Sequence, residues 1–142
     1  MDIMDILGSI GKKVRTVEDK RRESLMKGVK RSIYLPSIPA DDFIQYTKDS
    51  KELKNIIGTY GLCNFISITN NDTVAVRVEL DYDERKAYDV ASSSAITIDM
   101  VEYQGFNVRN LNDTTATTAK KIIVVVGFEP PLKRDYTGMG VM

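Results

Sequence analysis

The sequence predicts a mainly β protein, an antiparallel β-sandwich or jelly-roll-like domain with an N-terminal helical or extended arm. Three observations lead to this prediction. From residue 62 onward, apolar residues alternate with polar ones, which is the period of half-buried strands. Turns rich in Ser, Asn, Asp and Thr separate these stretches at short intervals. The chain of 142 residues is long enough for one domain with its own core.

Residues 1–35 are predicted to form a basic N-terminal arm that is helical or becomes helical on docking. A surface helix packed on its own domain is the open alternative. Two apolar stripes at helical spacing support this prediction: Ile3, Ile6, Leu7 and Ile10, then Leu25, Met26, Val29 and Ile33. Between Lys12 and Arg31, nine Lys and Arg residues stand against three acidic ones. The net charge of the whole chain is zero, so the sequence describes a basic arm on an acidic body.

Residues 36–61 are predicted to connect the arm to the body. Pro36 and Pro39 favour an extended backbone, because the residue before a proline is kept out of the helical region. The stretch Ser50–Ile57 predicts a short helix that Gly58 and Gly61 would end.

Residues 62–129 are predicted to form the sandwich body. Strands 65–69 and 73–82 would be joined by a turn, and the second strand would place Thr73, Arg77 and Glu79 on its solvent side. Further strands are predicted over Ala95–Val101, Phe106–Leu111 and Lys121–Phe128. The last is apolar on both faces, so it is either central or covered on one face by another chain. The predicted core comprises Val76, Val78, Ile98, Val108 and Val124.

Residues 130–142 are predicted to form an extended C-terminal tail. Pro130 and Pro131 make its start stiff and exclude a sheet interior. Apolar side chains and glycines follow, so the tail either frays in solution or docks onto a neighbouring molecule, and docking is favoured.

The side-chain chemistry argues against an enzyme, and no catalytic, cofactor or metal site is predicted. The chain contains no histidine, which is the usual general base and the commonest metal ligand. Cys63 is expected to be a small buried hydrophobe, and the carboxylates of residues 81–89 to be solvated. No apolar stretch is long enough to span a bilayer, so no membrane partner is expected. The single cysteine and the lack of a secretory pattern in residues 1–10 favour a cytoplasmic setting.

The basic segment admits two kinds of partner. Its cations could neutralise nucleic-acid phosphates, but no aromatic residue precedes Tyr34 to stack on bases. A solvated helix face or an acidic protein partner is therefore favoured over nucleic acid. The predicted partner-binding residues are Lys12, Lys13, Arg15, Arg21, Arg22, Lys30, Arg31, Tyr136, Met139, Val141 and Met142.

The rhythm of the strands resembles β-sandwich virion structural proteins of bacterial and archaeal viruses. The resemblance lies in residues 65–78, 92–99, 106–110 and 121–127. It implies a non-enzymatic component that decorates or cements a capsid or joins parts of a tail, assembled in the host cytoplasm with copies of itself and other structural proteins. The long basic arm departs from this pattern.

Two other functions remain open from the sequence. One is a ligand-binding sandwich module, for example for carbohydrate, although the chain has no Trp to serve as a platform. The other is a nucleic-acid-associated protein that uses the basic arm.

Overall fold

The computed structural model describes residues 27–130, and Val29–Glu129 form one compact unit within them. The elements in chain order are β1 (Val29–Tyr34), β2 (Phe43–Tyr46), helix α1 (Lys51–Tyr60), β3 (Cys63–Asn70), β4 (Val76–Leu80), a 3-10 turn (Glu84–Lys86), β5 (Ala87–Val90), β6 (Ser94–Tyr103), β7 (Phe106–Asn110) and β8 (Ile122–Phe128).

Two four-stranded antiparallel sheets build this unit, as the sequence predicted. Sheet A has the strand order β1-β8-β3-β6, and sheet B has the order β2-β7-β4-β5. All five residues predicted for the core are buried: Val76, Val78, Ile98, Val108 and Val124. The strands predicted near residues 95–101, 106–111 and 121–128 are present as β6, β7 and β8, and β8 is central in its sheet.

Strand β1 corrects the predicted arm. Residues 29–34 pair antiparallel with β8, so the helical prediction is wrong there and the body begins at Val29. Val29 and Ile33 misled the prediction because residues four apart share a face in a strand as well as in a helix. The arm prediction for residues 1–26 lies outside the described residues, as does the tail prediction for residues 131–142.

The predicted connector is also part of the body. Leu35 and Ile38 are almost fully buried, and β2, which the sequence did not predict, pairs with β7. Helix α1 confirms the helix predicted from Ser50, although it continues through Gly58 to Tyr60. The buried side chains of α1 are Leu53 and Ile56, and Tyr60 stacks on Phe128 with ring centroids 5.3 Å apart.

The predicted hairpin between β3 and β4 is wrong. Strand β3 pairs with β6 and β8, whereas β4 pairs with β5 and β7, so residues 71–75 cross from one sheet to the other. Polar turn residues mark a reversal of direction, but they do not decide whether the next strand joins the same sheet.

A buried asparagine, Asn110, fixes the end of β7. Its side-chain Nδ2 donates to the carbonyl oxygens of Ile38 (3.2 Å), Pro39 (3.3 Å) and Thr115 (2.8 Å). Its Oδ1 accepts from the backbone N–H of Asn112 at 2.9 Å. One side chain therefore joins residues 38–39 to the loop that follows β7. Buried Asn70 plays the same role at the end of β3, where it binds the carbonyl oxygens of Val74, Val90 and Ala91.

Gly127 in β8 is required by the close approach of β1. A Cβ atom there would lie 2.2 Å from the carbonyl oxygen of Val29 and 3.0 Å from Cα of Lys30. We expect Gly127→Ala to lower the free energy of unfolding by about 1–3 kcal/mol, because the edge strand must move.

Gly58 in α1 provides the matched control. A Cβ atom there meets no atom within 4 Å, so Gly58→Ala should raise stability by up to about 1 kcal/mol. Urea unfolding of both variants measures the difference, and equal effects would contradict the assigned packing of β1 on β8.

Candidate interaction surfaces

The two ends of the compact unit lie at one corner of sheet A. Val29, the first residue of β1, pairs with Phe128, the last residue of β8. Lys30 Nζ lies 3.1 Å from a carboxylate oxygen of Glu129. Asn64 Oδ1 accepts a hydrogen bond from the backbone N–H of Glu129 at 2.7 Å, and Asn64 Nδ2 donates to the carbonyl oxygen of Glu129 at 2.8 Å. The body therefore begins and ends at the same corner of sheet A, and these contacts hold that corner together.

Two of the predicted partner-binding cations lie in β1 and make contacts within the body. The ammonium of Lys30 also lies 4.2 Å from the ring centroid of Phe65. Arg31 Nη1 donates to the carbonyl oxygen of Lys51 at 3.0 Å. The other predicted partner-binding residues lie outside the described residues: Lys12, Lys13, Arg15, Arg21, Arg22, Tyr136, Met139, Val141 and Met142.

The carboxylates of residues 81–89 are divided among separate contacts. Asp81 accepts from the backbone N–H of Gln104 at 2.9 Å. Asp83 accepts from the N–H groups of Arg85, and Asp89 accepts from Arg77 Nε at 2.6 Å. These arginine hydrogen bonds hold the pKa of both aspartates below the usual range. Within residues 27–130, no group of three or more His, Cys, Asp or Glu side chains is placed to hold a metal ion.

The thiol of Cys63 is buried at the start of β3, as predicted. Burial raises its pKa to about 11, so the nucleophilic thiolate is scarce near neutral pH. The neighbouring Tyr103 hydroxyl is buried too, and it donates to the carbonyl oxygen of Phe65 at 2.5 Å. Burial likewise raises the pKa of Tyr103. These groups support packing and offer no activated nucleophile.

The outer face of sheet B is charged, and its charges are paired with one another. Arg77 binds Asp89 through two hydrogen bonds, and Arg109 Nη2 lies 3.4 Å from Glu79 Oε1. Arg109 also lies over the ring of Phe43, 4.8 Å from the ring centroid. Arg109 therefore covers one face of this ring, and a bound carbohydrate would need an uncovered ring face for stacking.

Glu79 on this face corrects a sequence prediction. It was expected in solvent, but only 2% of its surface is exposed. Asn107 lies opposite it on β7, and the buried Asn107 Oδ1 has no hydrogen-bond partner among residues 27–130. Both atoms are enclosed, so this pair offers no open site.

The outer face of sheet A differs, because two complete rows across its four strands lack charged side chains. The register places Ser32, Val125, Ser67 and Thr97 in one row, and Tyr34, Ile123, Thr69 and Ala95 in the next. We call these eight residues the neutral face. Tyr34 is 60% exposed, whereas Ile123 and Val125 are half-buried. The central position of β8 is confirmed, and its coverage by another chain stays a prediction.

A cleft of about 640 Å³ lies between β5 and β6, the edge strands of the two sheets on one side of the sandwich. We call it the edge cleft. Its lining residues are Ala87, Tyr88, Asp89, Ile96, Thr97, Ile98, Asp99 and Val101. Sequence reasoning missed both the neutral face and the edge cleft, since each depends on which strands are neighbours.

Comparisons with protein-family models, curated proteins and solved structures found no match to this chain. Among the described residues, no helix has the length and apolar character that a bilayer crossing requires.

Proposed function

We propose that this protein is a non-enzymatic structural protein that works by assembly, binding copies of itself and other structural proteins. The neutral face carries this proposal. The outer face of sheet B carries arginine and carboxylate side chains, and burying them against a partner would cost hydration free energy. Two rows of sheet A instead offer β-branched, small and aromatic side chains. Burying such side chains against a partner gains about 25 cal/mol per Å² of apolar surface.

The common corner from which the arm and the tail leave the body supports the same proposal. Because Val29 and Phe128 are paired, both segments begin on one side of the molecule. A neighbour that is reached by one segment lies within reach of the other, and two contacts on one neighbour raise the effective concentration of each. The setting in a virion, as a capsid or tail component, is supported by the strand rhythm of residues 65–127 alone.

The neutral face can be tested by placing a charge at its centre. We expect Ser67→Lys to raise the dissociation constant of self-association at least tenfold, because burying the lysine ammonium in the interface would cost its hydration free energy. Sedimentation measures the dissociation constant. Urea unfolding should stay within about 0.5 kcal/mol of the wild type, since Ser67 faces outward on β3.

Gln45→Lys is the matched control, because Gln45 is exposed on the outer face of sheet B. It should leave association unchanged. Equal loss of association in both variants, or a wild-type chain that sediments as a monomer at every concentration, would contradict self-assembly through the neutral face. A deletion of the arm in such work must end before Val29, because removing residues 1–35 would also remove β1.

A further inference from the structure

We propose that the edge cleft of one molecule accepts residues 136–142 of a second copy, which add a strand along β6. The proposal rests on self-assembly as the proposed function and adds a second contact to the neutral face, made by one segment and one surface. Strand addition at an open sheet edge satisfies backbone hydrogen bonds and lets alternate side chains enter pockets.

The edge formed by β6 lacks the usual protection. Within the described part of the chain, β6 pairs with β3 alone and β5 pairs with β4 alone. Lys or Pro residues on an edge strand normally prevent it from pairing with another chain. Strand β1, at the other edge of sheet A, carries Lys30 and Arg31. The stretch Ser94–Ile98 in β6 contains neither charge nor proline. Within residues 27–130, no strand pairs with the outer edge of this stretch.

The shape of β6 limits how much of it can pair. Asp99 pairs opposite Phe65 and Tyr103 opposite Cys63, so β6 holds two residues more than β3 over this stretch. Met100 within this bulge has a positive φ of 61° and is 74% exposed. The regular edge therefore runs from Ser94 to Asp99, and Tyr88 and Ile96 offer apolar surface beside it in the edge cleft.

The chain beyond Pro130 contains a segment of matching length and chemistry. Residues 136–142 are seven uncharged residues in the order Tyr-Thr-Gly-Met-Gly-Val-Met. In an extended strand, Met139 and Val141 would share one face, and Gly138 and Gly140 would lie on the other. The apolar face suits the lining of the edge cleft.

Charge determines the direction of the added strand. Lys133, Arg134 and Asp135 precede the uncharged segment with a net charge of +1, and the exposed Glu102 follows the uncharged part of β6. An antiparallel strand brings the basic pair to the acidic end of β6, whereas a parallel strand would place it beside Ser94.

The donor of this strand is a second copy rather than the same chain. Strands β8 and β6 run parallel, because each is antiparallel to β3. The segment after β8 would have to reverse direction and cross the end of β3 to run antiparallel along its own β6. Pro130 and Pro131 begin that segment, and consecutive prolines favour a stiff extended chain.

The test uses two complementary variants of the full chain. One ends after Pro130 and keeps an intact edge, and the other keeps the whole sequence but carries Tyr88→Lys in the edge cleft. Each alone should associate at least tenfold more weakly than the wild type in sedimentation, whereas their mixture should form a one-to-one complex. Met100→Lys, an exposed change on β6 outside the lining of the edge cleft, should associate like the wild type.

Two further measurements do not depend on the folding of the shortened chain. A synthetic peptide of residues 131–142, amidated at its C-terminus, should dissociate the full-length assembly and slow amide hydrogen exchange in β6. Failure of the mixture and of the peptide would overturn the inference. Slow exchange in β6 of dilute full-length monomers would overturn it as well, because it would show that the chain occupies its own edge.

The outcomes separate this inference from the proposed function. If Ser67→Lys abolishes association but loss of residues 131–142 does not, assembly through the neutral face stands and the inference fails. If the shortened chain loses association while Ser67→Lys retains it, strand addition stands and the neutral face is not the interface.

Discussion

Val78→Asp is expected to abolish folding. Val78 is fully buried in β4, where it pairs with Val108 on one side and Tyr88 on the other. An aspartate there would bury a charge without a partner, which costs more than about 4 kcal/mol and approaches the whole stability of a domain of this size. Far-ultraviolet circular dichroism and urea unfolding measure the loss.

Gln45→Asp provides a control for the introduced charge. Gln45 lies on β2 with its side chain exposed, so the variant should keep a cooperative transition within about 0.5 kcal/mol of the wild type. A melting temperature of Val78→Asp equal to that of the wild type would show that β4 does not face the core.

Asn110→Asp is the second change with a large expected effect. The two side chains have almost the same shape, but the carboxylate has no N–H to donate to the carbonyl oxygens of Ile38, Pro39 and Thr115. A buried negative charge would instead face these oxygens. We expect a loss of at least about 3 kcal/mol of unfolding free energy at neutral pH, with part of it recovered at acidic pH when the carboxyl group becomes protonated.

Asn71→Asp is the matched control for this change. Asn71 is exposed in the connection between the two sheets, so the same substitution should change stability by less than about 0.5 kcal/mol. Thermal unfolding at neutral and acidic pH distinguishes the two asparagines. A mild effect of Asn110→Asp at neutral pH would mean that its contacts contribute little to holding residues 38–39 against the loop that follows β7.

The strands that the sequence predicted are those in which alternation is strong. In β4, Val76 and Val78 are fully buried while Arg77 between them faces outward. The sequence therefore showed the alternation of apolar and polar residues that identifies a half-buried strand. Strand β1 was missed because Lys30, Arg31 and Ser32 follow one another without an apolar residue. Such a stretch forms a strand because it pairs with β8, and the residues of the stretch itself do not indicate this pairing.

The candidate surfaces were partly visible in the sequence. Ser67, Thr69 and Thr97 were identifiable as strand positions without charge, yet their place in two common rows depends on the order β1-β8-β3-β6. The crossing between β3 and β4 decides that order, and its polar residues would suit a hairpin equally well. The edge cleft follows from the same order, because it requires β5 and β6 to be edges on the same side.

The pairing of Val29 with Phe128 also determines how the body would respond to tension. A pull on the segments before β1 and after β8 separates the two strands from that end, so the hydrogen bonds between them break one after another, as in a zipper. A pull along opposite ends of the strands would load all of these bonds together in shear. A molecule held by both segments in an assembly would therefore open first at β1 under mechanical load, while β3 and β8 behind it remain paired.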